Sequence, residues 1–599
     1  MAPFDPTEPL APLSARERLI FWIVTAVCAL SRFAAMARSL WDWDEALFML
    51  GMRSYDVTQH HPHPPGFPAY IGLGRIVRLV IHNDFRALQA INLGAAILLF
   101  PAVFMLAREL RLRVPTAMVA GVLCAFFPNV WFFGGTAFSD VVSIVLVVLA
   151  AALLLRGCRS AEAYFAGALV LAIATGIRPQ NLMIGLAPGL IATWCRARVA
   201  WRDVVFAALI GAIVVGVAFG GAIAATGSFD GYMSAVRAHG DYISRVDSFR
   251  SPDRPPLWRL FDRFFIKQYD CTPLGIVISI FVAVSIVYAI RRRDRAMLVN
   301  FLIFGPFAIT AWLMLDRFSI SRFAIGYIPM FAIFAADGIA QIARHRGAVE
   351  GLIGGAFALA FAVWALPSFA VVRDADAPTV QGVRAVERLD PRRDDLFVAV
   401  AMHPFVQVLA PERPFVKVLD ERALPLSIGG RRPWLLAEID MTKPAGFVFR
   451  RPHDQLWSIA RRHYFDVALE PVTRQAQFVS GWYQAERSEN DEWRWMSGHS
   501  VTRLPAASGD TVLRLEGSFP AELLPQKPNV TIVLNGDILD RFVPYEEHWQ
   551  RDYHGNHPNG APATLEIVVD KTYTPARDER GGDARALAFS LRYLAWGPE

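Results

Sequence analysis

Long apolar segments within the first 371 residues constrain the fold of this chain more than any other feature. A helix needs about 20 apolar residues to cross a bilayer, and the first segment, near 19–37, has about that length. The others lie near 87–107, 114–133, 139–155, 161–177, 181–195, 203–225, 273–290, 297–315, 322–343 and 347–371. Together they predict a polytopic α-helical membrane protein with about 11 transmembrane helices in contact with membrane lipids.

The arginines predict how these segments are oriented. Arg16 and Arg18 precede the first segment, and further arginine groups occupy every second loop after it, at 108–113, 156–159, 196–202, 291–295 and 344–346. Because short loops rich in Lys and Arg stay in the cytoplasm, we expect a multi-pass protein of the inner (plasma) membrane with a cytoplasmic N-terminus. The long loops 38–85 and 226–272, and everything after 371, are then extracytoplasmic.

The last third of the chain has a different pattern. Short apolar segments predict strands at 395–400, 415–419, 434–439 and 446–449, with a helical pattern at 454–464. Alternating segments follow at 512–515, 530–534 and 565–569, and Asn535-Gly536 is a candidate hairpin turn. Three domains are predicted: a transmembrane domain over 1–371, a soluble extracytoplasmic α/β unit over 372–474, and a β-sandwich over 475–599.

Charge and cysteine content exclude two classes of function. The net charge is +6, but most of the loop arginines lie where they set membrane topology, so a nucleic-acid partner is not indicated. The 5 cysteines are scattered, with no CxxC pair. No disulfide framework or thiolate metal site is predicted.

A cluster of carboxylates and indoles follows the first segment, in Trp41-Asp42-Trp43-Asp44-Glu45. Carboxylates at the end of a membrane span are costly to desolvate, so three of them between large aromatic residues indicate a functional site on the extracytoplasmic side. The alternatives are a solvated helix end with Trp at the lipid interface and, for Asp44, a helix cap.

Four motifs follow one another along the chain: Asp44-Glu45, His63-Pro64-Pro65, Thr136–Asp140 and Ser321–Pro329. In this order they resemble the GT-C superfamily of polytopic glycosyltransferases, which take sugars from polyprenyl-phosphate carriers. The resemblance is to the protein O-mannosyltransferase and aminoarabinose-transferase branch. In this branch the His-Pro-Pro element enters an interfacial helix. The apolar piece at 67–81 is short, so it fits such a helix better than a membrane span. The loop here has more histidines than the family pattern requires.

The resemblance implies catalytic roles for three carboxylates. Glycosyl transfer from a lipid phosphate needs a base that deprotonates the acceptor hydroxyl. Asp44 is expected to be that base, with Glu45 orienting it or the acceptor, and nearby carboxylates and tryptophans are expected to raise its pKa. Asp140, at the mouth of a span, is expected to be a second acid or to position the acceptor, the alternative being a salt bridge to a loop arginine.

Positive charge is also needed to hold the departing phosphate. Arg322 and Arg178 both fall at outer span ends, and a guanidinium can fork onto a phosphate. We favour Arg322, since Arg178, before Pro179, is equally consistent with a simple turn between spans.

Trp43 and His63 are expected to contact the acceptor or the loop. His60, His61 and His63 with the nearby carboxylates could bind a divalent metal. Prolines interrupt the run and the branch does not depend on a metal, so no cofactor is expected.

The sequence thus predicts an extracytoplasmic, inverting sugar transfer from a polyprenyl-phosphate sugar donor to the hydroxyl of a lipid, polysaccharide or protein acceptor. One alternative is a transporter or flippase of lipid-linked glycans, which would carry ionisable residues in mid-span positions. Another is a non-catalytic glycan-binding assembly protein in which Asp44 is dispensable and Trp482 and Trp495 are not.

Overall fold

The computed structural model describes most of the chain in two compact units. It covers residues 4–598 apart from 247, 249, 251–255, 315–319, 419–425, 427, 429–431, 440–445, 451–465, 473–475, 488–491, 521–523, 525, 558 and 576–582. One unit is Met1–Ala377, and the other comprises Pro378–Arg451 and Phe465–Glu599. The three-domain division expected from the sequence stays a prediction.

The first unit is helical. Its helices are α1 (Ala15–Arg32), α2 (Trp43–Arg53), α3 (Pro68–Arg78), α4 (Asp84–Glu109), α5 (Val114–Phe126), α6 (Pro128–Phe133), α7 (Asp140–Gly157), α8 (Ala161–Ile177), α9 (Asn181–Val199), α10 (Trp201–Thr226), α11 (Phe229–Val246), α12 (Leu257–Phe265), α13 (Thr272–Arg292), α14 (Arg295–Met314), α15 (Ile320–Phe323), α16 (Ile328–Ile342) and α17 (Gly347–Asp374). Every apolar segment identified in the sequence is therefore helical over much of its length.

Seven helices among the described residues are long and apolar enough to cross a membrane: α1, α4, α7, α10, α13, α14 and α17. The apolar helices α5, α8 and α16 are shorter, and α9 fills the remaining segment. The chain is thus a multi-pass membrane protein. Helix α3 forms where a short interfacial helix was predicted, and Leu73 and Ile76 on it are exposed.

Helix α2 begins where its sequence provides a cap. The Asp42 carboxylate accepts from the backbone N–H of Asp44 at 2.9 Å, and Glu45 reaches back to the backbone of Asp42, which completes a capping box. The cap suggested for Asp44 as an alternative is therefore Asp42. This leaves the Asp44 side chain available for other contacts.

The loop between α2 and α3, residues 54–67, is held by backbone contacts. Asp56 and His61 exchange two backbone hydrogen bonds, of 2.7 and 2.8 Å. Gly66 has φ +98°, and a Cβ there would lie 2.1 Å from the Tyr55 hydroxyl, so only glycine fits. Gly51 of α2 lets Pro62 approach the helix backbone. These contacts fix where the histidines of the loop lie.

The second unit contains two sheets. Its first elements are α18 (Pro378–Val386), β1 (Asp394–Ala399), α19 (His403–Leu409), β2 (Val416–Val418), β3 (Arg432–Glu438), β4 (Phe447–Phe449) and β5 (Val467–Pro471). The strand order is β2-β1-β3-β5-β4, with β1 parallel to β2 and β3, and β5 antiparallel to β3 and β4. The predicted α/β unit is confirmed in its strands, whereas the helix predicted at 454–464 lies outside the described residues.

The second sheet consists of long antiparallel strands. They are β6 (Gln477–Arg487), β7 (Glu492–Leu504), β8 (Gly509–Ser518), β9 (Val530–Leu534), β10 (Asp537–Phe542), β11 (His548–His557), β12 (Ala563–Val569) and β13 (Ser590–Pro598). Their order is β10-β9-β12-β7-β13-β8-β11, with β6 paired to β7. Strand β7 pairs with β12 in its second half and with β13 near its start, so both halves of the sheet share one apolar core. Asn535 and Gly536 both have positive φ between β9 and β10, as the predicted hairpin turn requires.

We predict that Gly51→Ala lowers the melting temperature of the detergent-solubilised protein. The added Cβ would lie 2.6 Å from Pro62 Cδ and 2.9 Å from Pro62 N, and such overpacking costs about 1–3 kcal/mol. Gly72→Ala in α3 is the matched control, because a Cβ there meets nothing within 4 Å and alanine favours a helix. Equal melting temperatures for the two variants would contradict the docking of the loop onto α2.

Candidate functional site

The first unit contains a cavity of about 1170 Å³ that brings the predicted site residues together. It is lined by parts of α2, the 54–67 loop, α7, the α8–α9 junction, α11, α14 and the segment 322–326. It is lined by five of the predicted residues from distant parts of the sequence: Asp44, His63, Asp140, Arg178 and Arg322. A cavity of this size holds a substrate larger than a single sugar.

Four charged side chains form a cluster in this cavity. Arg322 Nη2 lies 2.6 Å from Asp44 Oδ2, and Arg322 Nε lies 3.3 Å from Asp140 Oδ2. Arg178 Nη2 lies 2.8 Å from the same Asp140 oxygen. The cluster thus contains two carboxylates and two guanidiniums, with Arg322 joining the carboxylates.

Arg322 is the most enclosed side chain of this cluster together with Asp140, each about 5% exposed. Its guanidinium carbon lies 4.0 Å from the centre of the Phe138 ring, a cation–π contact. A buried guanidinium needs compensating charge, and Asp44 and Asp140 provide it. The planar guanidinium of Arg322 directs its N–H donors at two carboxylates at once, whereas the ammonium of a lysine has no such fixed geometry.

Local structure places the other pair. Asp140 is the first residue of α7, where a carboxylate is favoured by the helix dipole. Arg178 follows the last residue of α8, ahead of Pro179, and its Nε donates to Ser139 Oγ at 3.0 Å. Arg178 therefore lies at a turn between spans and pairs with Asp140, while its expected role as a phosphate ligand stays a prediction. The salt bridge to a loop arginine, which the sequence offered as the alternative role for Asp140, is present in the structure.

Glu45 contacts backbone and lies outside the cavity lining. It is fully buried, does not line the cavity, and accepts backbone N–H groups of Trp41 (2.7 Å), Asp42 (3.0 Å) and Ala137 (2.8 Å). It therefore joins α2 to the segment that precedes Asp140, and it positions both carboxylates of the cluster. Burial raises the pKa of Glu45 to about 7, against the opposing effect of the backbone hydrogen bonds.

His63 lies beside Asp44, with its Nδ1 3.8 Å from Asp44 Oδ1. Its ring packs against Phe67 and Phe48 and lies 5.7 Å, centre to centre, from the ring of His239. Burial lowers the pKa of His63 to about 4, although the Asp44 charge opposes this. The imidazole is therefore neutral near pH 7.

The histidines do not form a metal centre among the described residues. No group of three or more His, Cys, Asp or Glu side chains in that part of the chain is placed to hold a metal ion. His60 lies 6.5 Å, ring to ring, from His239, and His61 takes part in the backbone pairing with Asp56. The expectation of a reaction without a cofactor stays a prediction.

Two residues of the site were missed by sequence reasoning. His239 reaches the cavity from α11, and Phe138 forms the aromatic face under Arg322. His239 is a single histidine in a long mixed loop and carries no local signal. Phe138 lies within the Thr136–Asp140 motif, but its contact with Arg322 comes from a distant part of the chain. Trp43 lines the cavity, as expected.

No protein-family model and no curated protein sequence matches the chain. Among solved structures, ArnT from Cupriavidus metallidurans is 12% identical with a TM-score of 0.47, over 76% of this chain and 98% of that chain. AglB, an oligosaccharyltransferase from Archaeoglobus fulgidus, is 10% identical with a TM-score of 0.44, over 96% of each chain. The arabinofuranosyltransferase AftD from Mycobacteria is 11% identical with a TM-score of 0.44, over 99% of this chain and 60% of that chain.

At these identities and TM-scores the likeness says nothing about the chemistry of this chain, which is taken from its own residues.

We predict that the thermal stability of the wild type falls between pH 6 and pH 8 by more than that of Glu45→Gln. A carboxyl group whose pKa in the folded state is raised contributes stability that is lost as the pH rises through that value, here about 7. The amide does not titrate, so the difference between the two melting curves isolates Glu45. Between pH 6 and pH 8 the raised pKa acts over about one pH unit, so at about 1.4 kcal/mol per unit the two profiles separate by about 1.4 kcal/mol. Parallel pH profiles would show that Glu45 does not titrate in this range.

Proposed function

We propose that this chain is a membrane glycosyltransferase of the GT-C type that moves a sugar from a polyprenyl-phosphate carrier to an acceptor hydroxyl. The observation that carries the proposal is the cluster of Asp44, Arg322, Asp140 and Arg178 in one cavity. It combines a candidate base with two guanidiniums suited to a phosphate. The sequence motifs that resemble the superfamily contribute every member of the cluster except Arg178.

The reaction would be a single displacement. Asp44 takes the proton of the acceptor hydroxyl, and the oxygen bonds to the anomeric carbon from the face opposite the phosphate. The bond between that carbon and the phosphate oxygen breaks, and its electron pair stays on the phosphate, whose charge Arg322 and Arg178 hold. The anomeric configuration is inverted, and no bond forms between the sugar and the protein.

The observed ion pair changes the expectation for Asp44. The sequence suggested that neighbouring carboxylates and indoles would make this carboxylate more basic, but Arg322 lies 2.6 Å away, and a cation so close stabilises the ionised form. A donor phosphate would compete with Asp44 for the same guanidinium donors. Once the phosphate takes them, Asp44 loses its partner and becomes a stronger base, so the donor binds before the acceptor is activated.

Apolar residues of the cavity suit the carrier of the sugar. Met183 follows the start of α9, Phe307 and Ala311 belong to α14, and Ile325 follows Arg322 closely in the chain. Helix α14 is one of the candidate spans. A polyprenyl chain in the bilayer thus has apolar surface next to the guanidiniums, which supports a lipid-linked donor over a nucleotide sugar. The arginine pattern of the loops supports a site on the extracytoplasmic face of the inner membrane.

We predict that Asp44→Asn lowers sugar transfer by roughly 10²–10⁴-fold, the usual contribution of a general base. The assay follows radiolabelled sugars from a panel of polyprenyl-phosphate donors to endogenous acceptors in membranes, with equal amounts of folded protein. Asp241→Asn is the matched control, since Asp241 is exposed on α11 and does not line the cavity.

Undiminished transfer by Asp44→Asn would show that the base lies elsewhere. If neither the wild type nor the variant transfers any sugar of the panel, the result favours the alternative of a transporter or flippase. That alternative is tested by measuring whether the protein moves the same lipid-linked sugars across the membrane of vesicles.

We predict that Arg322→Lys raises the donor KM at least about tenfold. The ammonium keeps the charge but cannot fork between Asp140 and a phosphate, which removes about one charge-assisted hydrogen bond. The measurement is the initial rate against the concentration of the donor active in the panel. An unchanged donor KM would exclude Arg322 as a phosphate ligand.

A further inference from the structure

Three imidazole rings form a row in space, with His63 next to Asp44. We call His60, His63 and His239 the imidazole wall. His63 and His239 have ring centres 5.7 Å apart, and those of His60 and His239 are 6.5 Å apart. All three line the cavity. The two chain segments that contribute them are also joined directly, because the Tyr232 hydroxyl of α11 donates to the Pro65 carbonyl at 2.8 Å.

His63 has a nitrogen without a partner. Its Nδ1 is buried and has no hydrogen bond within the described part of the protein. The distance of 3.8 Å to Asp44 Oδ1 is too long for a hydrogen bond. Atoms 3.8 Å apart can nevertheless be bridged by one oxygen atom, which here requires the partly exposed His63 ring to turn Nδ1 toward the cavity. Buried polar atoms are normally satisfied, so an unsatisfied one beside a candidate base indicates the position of a ligand hydroxyl.

The charges of the cavity restrict what that ligand can be. The charged side chains that line it among the described residues are Asp42, Asp44, Asp140, Arg178 and Arg322. Both arginines already have carboxylate partners, and a donor phosphate would use the donors they share. Burial lowers the pKa of both His63 and His239, which favours their neutral forms at physiological pH. Among the described residues that line the cavity, the Lys and Arg side chains are Arg178 and Arg322 alone, so an acceptor with its own phosphate or carboxylate would compete with the donor phosphate for them.

We propose that the imidazole wall binds an uncharged saccharide acceptor whose attacking hydroxyl lies between His63 Nδ1 and Asp44 Oδ1. This rests on the proposed function. Three imidazoles in a row present several hydrogen-bonding nitrogens, which suits a ligand with several hydroxyls. Trp43 and Tyr242 also line the cavity, and their rings offer apolar faces with polar ends.

The wall also fits the chemistry of the displacement. The hydroxyl donates its proton to Asp44 while one oxygen lone pair accepts from the Nδ1–H tautomer of His63. The second lone pair attacks the anomeric carbon. His63 and His239 are therefore positioning residues for the acceptor, and Asp44 remains the base.

The first test is binding without turnover. The purified full-length protein is applied to an array of uncharged oligosaccharides and of oligosaccharides that carry phosphate or carboxylate groups. We expect the wild type to bind uncharged glycans, and His63→Ala and His239→Ala to bind them about tenfold more weakly, the effect of about one hydrogen bond. His239→Gln keeps a hydrogen-bonding side chain and is expected to retain most of the binding.

Two histidine variants serve as controls. His82 is exposed and its ring contacts the Val80 carbonyl of its own loop, whereas His499 lies in the second unit and contacts Glu566. Binding that falls in His499→Ala but not in His239→Ala would assign the glycan site to the second unit and overturn the proposal. Binding of charged glycans only, or of no uncharged glycan, would overturn it as well.

A transfer assay separates this proposal from the proposed function. The oligosaccharide that binds is added as acceptor, and His239→Ala is expected to raise its KM about tenfold without a matching rise in the donor KM. Transfer that depends on Asp44, with an unchanged acceptor KM in His239→Ala, would overturn the acceptor site and leave the glycosyltransferase. If glycan binding depends on the histidines but no donor of the panel supports transfer, the saccharide-binding site is retained and the proposed glycosyltransferase function is overturned.

Discussion

The arrangement of the cavity depends on the sharing of Arg322 between two carboxylates. Arg322 contacts Asp44 at the start of α2 and Asp140 at the start of α7, and these elements are distant in sequence. A guanidinium that is only about 5% exposed cannot remain without counter-charge. The energetic need to pair this cation therefore determines where α2, α7 and α15 meet, and the same need makes the pair responsive to an incoming anion.

The cluster is supported by a second layer of contacts that does not reach the cavity. Glu45 accepts three backbone N–H groups from two chain segments, and the Tyr70 hydroxyl donates to the carbonyl of Ala137 at 2.9 Å. Both contacts hold the segment that leads to Asp140. Because hydrogen bonds to backbone depend on main-chain position and not on substrate, they keep the carboxylates in place when the cavity is empty.

The sequence predicted those parts of the molecule that depend on local pattern. Apolar segments of span length, several alternating strands and the Asn535-Gly536 turn each follow from neighbouring residues and occur where they were predicted. The helix predicted at 454–464 lies outside the described residues. Asp44 and Arg322 were identified through motifs and lie in one cavity. An orienting role was expected for Glu45, but its contact with the backbone of Ala137 could not be anticipated, because the two residues are distant in sequence. The position of His239 in the cavity could not be anticipated either, because it depends on contacts with His60 and His63 of the 54–67 loop.

The composition of the cluster has a further consequence for a protein in an energised membrane. Moving one elementary charge through a potential of 100 mV involves about 2.3 kcal/mol, so a site with an excess of one sign would be stabilised or strained by the voltage. The two carboxylates and two guanidiniums of the cluster sum to zero, so the voltage does no net work on the cluster as a unit. Asp42, which also lines the cavity, lies outside this balance. On the proposed function, the phosphate of the donor lipid would add a further unbalanced charge, and its binding would then respond to the membrane potential.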